Sequence, residues 1–323
     1  MNNNLLCDII KRGFEYYIIQ FELTIVCTQE AFVRDFIIST DSTADLPEDY
    51  VKQHNITIHP LYYVLDDFQY GGDRNIPLGD FYKRMRDGAI ATTCASNPDV
   101  VSTLLTRDVE AGYDVLHIGF SSALSSSCNN AMVISREVTE AHPEAKIVVI
   151  DSLSASLGQG LLVHYAVKLK EEGKSLEEVA EWVENNKLHI CHQFTVEDLK
   201  YLYRGGRISK SVAILGTLIN VKPVLHVDDE GRLVPMSNVR GRKKSLNTLV
   251  ANMAAQIGNY KNDIIFIGHG DSLEDAEYVR DKIKEQFGIE SFIVNHISPT
   301  IGAHSGPGTI ALFHLGESRM INA

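Results

Sequence analysis

The sequence predicts an α/β fold with parallel or mixed sheets. Two observations carry this prediction. Short, continuous apolar runs end in turn residues, as buried parallel strands do. Longer stretches with helical spacing lie between them, which gives a βαβ alternation. A third observation concerns size. The chain has 323 residues, 44% of them hydrophobic and 22% charged, an ordinary globular composition long enough for two domains.

Taken in order, the first segment stands apart. Residues 5–27 are largely apolar, but Asp8, Lys11, Arg12, Glu15 and Glu22 interrupt them. A membrane span needs roughly 20 apolar residues, and a signal peptide needs a cleaner core. Residues 1–34 therefore read as an N-terminal extension, either a short amphipathic helix or an unstructured segment. The fold starts with a strand at Phe36–Thr40, closed by Asp41-Ser42-Thr43. A helix at Leu78–Arg86 follows, then a loop at Thr92–Pro98 and a helix at Asp99–Ala111. The strand Val115–Phe120 ends in Ser121-Ser122, and Lys146–Ile150 ends in Asp151-Ser152. Helices are predicted at Asn129–Ala141, Gly158–Glu172 and Ser175–Asn186.

The pattern changes near residue 190. We therefore expect an N-terminal α/β lobe over 35–190 and a C-terminal α+β lobe over 191–323. Gln193–Val196 reads as a strand and Glu197–Tyr203 as a helix. Lys222–Val227 and Arg232–Met236 flank the turn Asp228–Gly231, a hairpin pattern. Helices at Leu246–Ile257 and Ser272–Phe287 alternate with strands at Asp263–Ile267 and Ser291–Val294.

Charge and composition narrow the function. Thirty basic and 42 acidic residues give a net charge of −12, which argues against binding nucleic acid through bulk charge. The five cysteines are scattered, without C-x-x-C spacing, as in a cytoplasmic protein with reduced thiols. The sequence carries no H-E-x-x-H, and His189 and His192 on a strand would face opposite ways, so no metal is expected. Neither a Walker A run nor a G-x-G-x-x-G after a strand is present, so no nucleotide cofactor is expected.

The strand ends carry the chemistry, since open α/β sheets bind ligands there. Gly119–Ala123 lacks the last glycine of a G-x-S-x-G elbow. Ser121 or Ser122, with His269 or His304 and an Asp, still leaves a lipase-like hydrolase open. Thr92 and Thr93 can cap the next helix or donate to a ligand carboxylate. The glycine-rich run Gly302–Thr309, with a helix-compatible run after it, can offer backbone N–H groups to an anion at a helix N-terminus, and no turn requires its His304. Arg204 and Arg207 flank two glycines and can grip a phosphate or an acidic partner.

Seven segments, in order, resemble the DegV family: FIISTDSTADLP at 36–47, TCASNP at 93–98, IGFSSALSSS at 118–127, DLKYLYRGGRIS at 198–209, Lys222-Pro223, Val239–Lys244 and GAHSGPG at 302–308. The chain is similar to the fatty-acid-binding subunits of bacterial fatty acid kinase over roughly residues 35–320. The resemblance implies two α/β lobes with a buried lipid tunnel between them. It implies a long-chain fatty acid whose carboxylate is held by hydroxyls at the lobe junction. It also implies a separate kinase subunit that phosphorylates this carboxylate with ATP, so the chain would be a cytoplasmic bacterial carrier without catalysis of its own. No cofactor, nucleic acid or stable membrane insertion is implied. Carried over by motif, the carboxylate ligands are Thr93, Ser122 and His304, with Thr92 and Ser121 beside them. Arg207 and Arg204 would contact the partner or a phosphate. Cys94 and Ala95 stand where the family usually has Ser and Gln, and Ser126-Ser127 where it has Gly-Thr.

Overall fold

The computed structural model describes residues 34–209 and 220–321. The extension expected over residues 1–34 lies, apart from Arg34, outside the described residues. Strands β1 (Phe36–Asp41), β2 (Thr57–His59), β6 (Asp114–Gly119) and β7 (Ile147–Asp151) form a parallel sheet in the order β2-β1-β6-β7. β1 is buried along its whole length, which is why it opens with the apolar run Phe36–Ile38 rather than an alternating pattern.

A second sheet holds β8 (Ile190–Thr195), β9 (Val221–Val227), β10 (Leu233–Arg240), β11 (Ile265–His269), β12 (Phe292–His296) and β13 (Ile310–Leu315). Its order is β10-β9-β8-β13-β11-β12, and only β11 and β12 pair in parallel. β9 and β10 form the predicted hairpin, whose turn is completed by Gly231 at a φ of 76°. A small third sheet, β4-β3-β5, joins β3 (Tyr62–Leu65), β4 (Phe68–Tyr70) and β5 (Thr92–Cys94).

Helices clothe these sheets. In chain order they are α1 (Glu48–Gln53), α2 (Leu78–Arg86), α3 (Pro98–Glu110), α4 (Ser127–Ala141), α5 (Leu157–Glu171), α6 (Leu176–Asn186), α7 (Lys200–Arg204), α8 (Arg242–Gln256), α9 (Leu273–Phe287) and α10 (Pro299–Ser305). α3 starts where Asn97 Oδ1 accepts the Asp99 N–H and Pro98 fills the first turn. α6 starts with a full capping box between Ser175 and Glu178.

α5 is the helix between the two larger sheets. It packs on β1 and β6 on one side and on β8, β11 and β13 on the other. One apolar cluster therefore runs from Ile38 and Leu116 through Leu161 and Leu162 to Leu225 and Phe313. Two further clusters seal the outer faces. Leu105, Val109, Ile134 and Val138 lie under α3 and α4. Leu249, Met253, Val279 and Ile283 lie under α8 and α9. The result is a two-lobed mixed α/β fold.

Two segments differ from expectation. Thr92–Cys94 is a strand, not a loop, because it pairs with β3. The glycine-rich run does not lead into a helix. His304 lies in the last turn of α10, and Gly306 and Gly308, at φ of 81° and 79°, turn the chain into β13. A tertiary partner overrode weak local propensity in the first case. In the second, the run Ile310–Leu315 has no helical spacing and is buried throughout as a strand.

Candidate functional site

Residues of the mixed sheet and of the small one, with the segments that follow β1, β6 and β7, line a cavity of about 240 Å³. Its apolar floor comes from the mixed sheet. Phe194 pairs with Ala311, and His192 pairs with Phe313, on adjacent β8 and β13. Alternation on a strand places residues two apart on one face, so all four line the cavity, together with the cross-strand pair Val227 and Leu233.

The polar wall is built from β5, α10, the turn after α7 and the loop after β6. Thr93 on β5 is half-buried, and its Oγ1 lies 2.7 Å from His304 Nε2 on α10. Burial first, then the charge of Arg207, pushes the His304 imidazole down to about 4, so it is neutral at pH 7. Gly205, just past α7, makes room for that ring: a Cβ there would lie 2.0 Å from His304 Nδ1. Arg207 continues the same turn. It donates from Nε and Nη2 to Leu124 O at 3.1 and 2.7 Å and from Nη1 to Gly205 O at 2.5 Å. These bonds hold the loop after β6, whose Leu124, Ser125 and Ser126 also line the cavity. Ser126 and Cys94 are exposed and mark its outer edge. Deeper, Thr43, Ser156 and Thr300 add hydroxyls.

The expected residues divide. Thr93, His304 and Arg207 come together around the cavity. Thr92 is exposed, as the neighbour of an inward residue on a strand must be. Ser121 is buried away from the cavity, where its Oγ donates to Gly231 O at 2.9 Å. The Ser122 N–H donates to Asp151 Oδ1 at 3.2 Å, and neither serine lines the cavity. Arg204 is exposed, with its guanidinium 5.9 Å from the Tyr201 ring.

Sequence reasoning missed Ser125 and Ser126, although the surplus of hydroxyls after Ser122 was the signal. It also missed His192, whose position two residues before Phe194 puts both on one strand face. His269, a candidate of the hydrolase reading, accepts the Ser272 N–H at Nδ1 and does not line the cavity. Among the described residues no group of three or more His, Cys, Asp or Glu side chains is placed to share a metal ion. No helix among them is long and apolar enough to cross a membrane.

Comparison with known proteins gives a consistent result. The family model described as uncharacterised protein, DegV family, matches residues 35–317. A DegV domain-containing protein of Clostridium perfringens is 39% identical over 289 residues, 89% of this chain and 99% of that protein. One from Lactococcus lactis is 35% identical over 87% of this chain and 98% of its own length. Among solved structures, a DegV family protein from Thermus thermophilus, described by its fatty acid binding, superposes with a TM-score of 0.77 at 29% identity, covering 87% of this chain and 99% of that one. A stearic acid-binding protein from Eubacterium ventriosum superposes with a TM-score of 0.78 at 27% identity, covering 87% and 98%.

Proposed function

The chain belongs to the DegV family, and from that premise we propose that it binds one long-chain fatty acid in the cavity between its sheets. The observation that carries this reading is the division of the cavity. The tail lies on Phe194, Ala311, Phe313, Val227 and Leu233, and the carboxylate meets Thr93, His304 and Ser125. Each buried CH₂ contributes about 0.8 kcal/mol, so a long tail supplies ample affinity. The carboxylate would lose several kcal/mol on desolvation without hydrogen bonds, and neutral donors at Thr93 and Ser125 offset that loss. The solved DegV relatives described as fatty-acid-binding support the ligand class.

The finer part of the reading is that a separate kinase phosphorylates the bound carboxylate. That role requires no catalytic group from this chain, because the phosphoryl chemistry lies in the partner. Arg204, exposed beside the turn that holds Arg207, is the side chain placed to meet such a partner. The reading also makes the chain a cytoplasmic bacterial carrier.

Mass spectrometry of an organic extract from natively purified protein tests the ligand. One equivalent of a long-chain fatty acid is expected. An empty extract, together with no binding of added fatty acid, would overturn the reading.

A further inference from the structure

Ser156 is the residue before α5, on the loop that leaves β7, and it lines the cavity. Its backbone has φ 55° and ψ −145°, a left-handed conformation that is costly for any residue but glycine. A strained serine directly before a helix is one feature of a nucleophile elbow; here residues 152–156 connect it to β7. The local sequence, Ser154-Ala155-Ser156-Leu157-Gly158, is a G-x-S-x-G pattern with only the first glycine replaced. Ser156 Oγ donates to Asp45 Oδ2 at 2.5 Å.

Asp45 is only 6% exposed. The Ser298 N–H donates to its Oδ1 at 3.1 Å, and Asn295 Nδ2 donates to its carbonyl at 2.8 Å, which fixes the carboxyl in place. Burial pushes this carboxyl up to about 7, so it can both take and return a proton near neutral pH. Leu157 N–H opens α5, where the first N–H groups have no partner within the helix and the dipole favours an oxyanion.

We propose that Ser156 is an acyl-accepting nucleophile and that the cavity cleaves long-chain fatty acyl esters of small alcohols, with Asp45 as the base. Ser156 Oγ attacks the ester carbonyl, and its proton passes to Asp45. The tetrahedral intermediate expels the alkoxide, which takes the proton back and leaves as the alcohol. Asp45 then deprotonates a water, which cleaves the acyl-Ser156 ester and releases the fatty acid with Ser156 restored. The alcohol must be small. Thr300, which is buried, and His304, which is partly buried beside Thr93, are one turn apart on α10, about 6 Å, and the alcohol has that span. The acyl tail runs over the same apolar floor proposed above for a free fatty acid, so the product is the ligand of that reading.

The test uses the delipidated full chain with two probes, methyl palmitate and a long-chain alkyl fluorophosphonate. The fluorophosphonate is expected to label one equivalent at Ser156, read by peptide mapping. Release of palmitate is expected to fall at least ~100-fold in Ser156→Ala and in Asp45→Asn. Labelling at another residue, no labelling of a protein that binds palmitate, or unchanged ester cleavage in Ser156→Ala would each overturn the proposal and leave the carrier reading standing. Should Ser156→Ala fail to fold, the labelling site in the unsubstituted chain decides.

Discussion

Thr93 and His304, 211 residues apart in the chain, meet at 2.7 Å where the small sheet touches α10. The contact joins an early strand to the last helix, and it faces a cavity that is otherwise mostly apolar. If the fatty acid carboxylate sits here, Thr93→Val and His304→Ala should each weaken fatty acid binding about 10-fold, the equivalent of one hydrogen bond to a charged group. Displacement of a fluorescent fatty acid measures this. Unchanged affinity in both variants would place the carboxylate elsewhere.

Gly205 tests the same contact without touching either partner. Its φ of −73° suits any residue, so alanine there brings no backbone strain. The new Cβ would nonetheless lie 2.0 Å from His304 Nδ1 and force the ring away from Thr93. Gly205→Ala should reproduce the binding loss of His304→Ala. Wild-type affinity in this variant would mean that His304 can move freely without consequence.

Chain length should respond to the floor of the cavity. Ala311 faces Phe194 across the β8–β13 ladder, and it is the smallest side chain of that floor. Ala311→Leu should shorten the longest acyl chain bound, with a loss of about 0.8 kcal/mol for each methylene excluded. A displacement series over chain lengths reads this directly. An equal loss for short and long chains would show that Ala311 does not meet the tail.

The two arginines of the basic turn separate by direction. Arg207 turns inward, and its guanidinium is spent on the carbonyls of Leu124 and Gly205. Arg207→Glu should therefore loosen the serine loop and reduce fatty acid binding and phosphorylation together. Arg204 is exposed, so Arg204→Glu should lower phosphorylation by a kinase partner while fatty acid binding holds. Equal loss of both in Arg204→Glu would remove it as a partner contact.

Much of this architecture was legible in the sequence, for physical reasons. Strands buried along their whole length, such as Phe36–Asp41 and Ile265–His269, announce themselves by the apolar runs Phe36–Ile38 and Ile265–Ile267. Leu78–Arg86 was legible because its apolar residues repeat at helical spacing. The three-residue strands Thr57–His59 and Thr92–Cys94 were not legible. So short a run has no period, and only its pairing partner makes it a strand. The site divided in the same way. Thr93, Ser125 and His304 lie in motifs that resemble a family, whereas His192 and Ser156 reach the cavity through tertiary packing. Ser121 shows the converse. Its hydroxyl sits at a strand end, as a ligand group would, yet it is spent on the carbonyl of Gly231 in a distant hairpin.

Buried imidazoles should make the protein sensitive to acid. Burial holds His117, His269, His304 and His314 at about 4 and His59 at about 3. In the unfolded chain histidine titrates near 6.5. Between about pH 6.5 and 4 the unfolded state therefore binds protons that the folded state refuses, and stability falls as pH falls. Asp45, raised to about 7 by burial, and Asp41, raised by the same cause, act in the opposite direction. Their protonated forms favour the fold at low pH, and that contribution is lost as pH rises toward 7. Five imidazoles outweigh two carboxyls, so the melting temperature should drop steadily from pH 6.5 to pH 4. Asp45→Asn removes one opposing group. Its melting temperature relative to wild type should therefore rise as pH increases from 4 through 7, and its acid-side decline should be steeper. Thermal melts of both proteins across this range check the sign. A wild-type melting temperature that stays level or climbs on acidification would mean that these histidines are not buried in the neutral form.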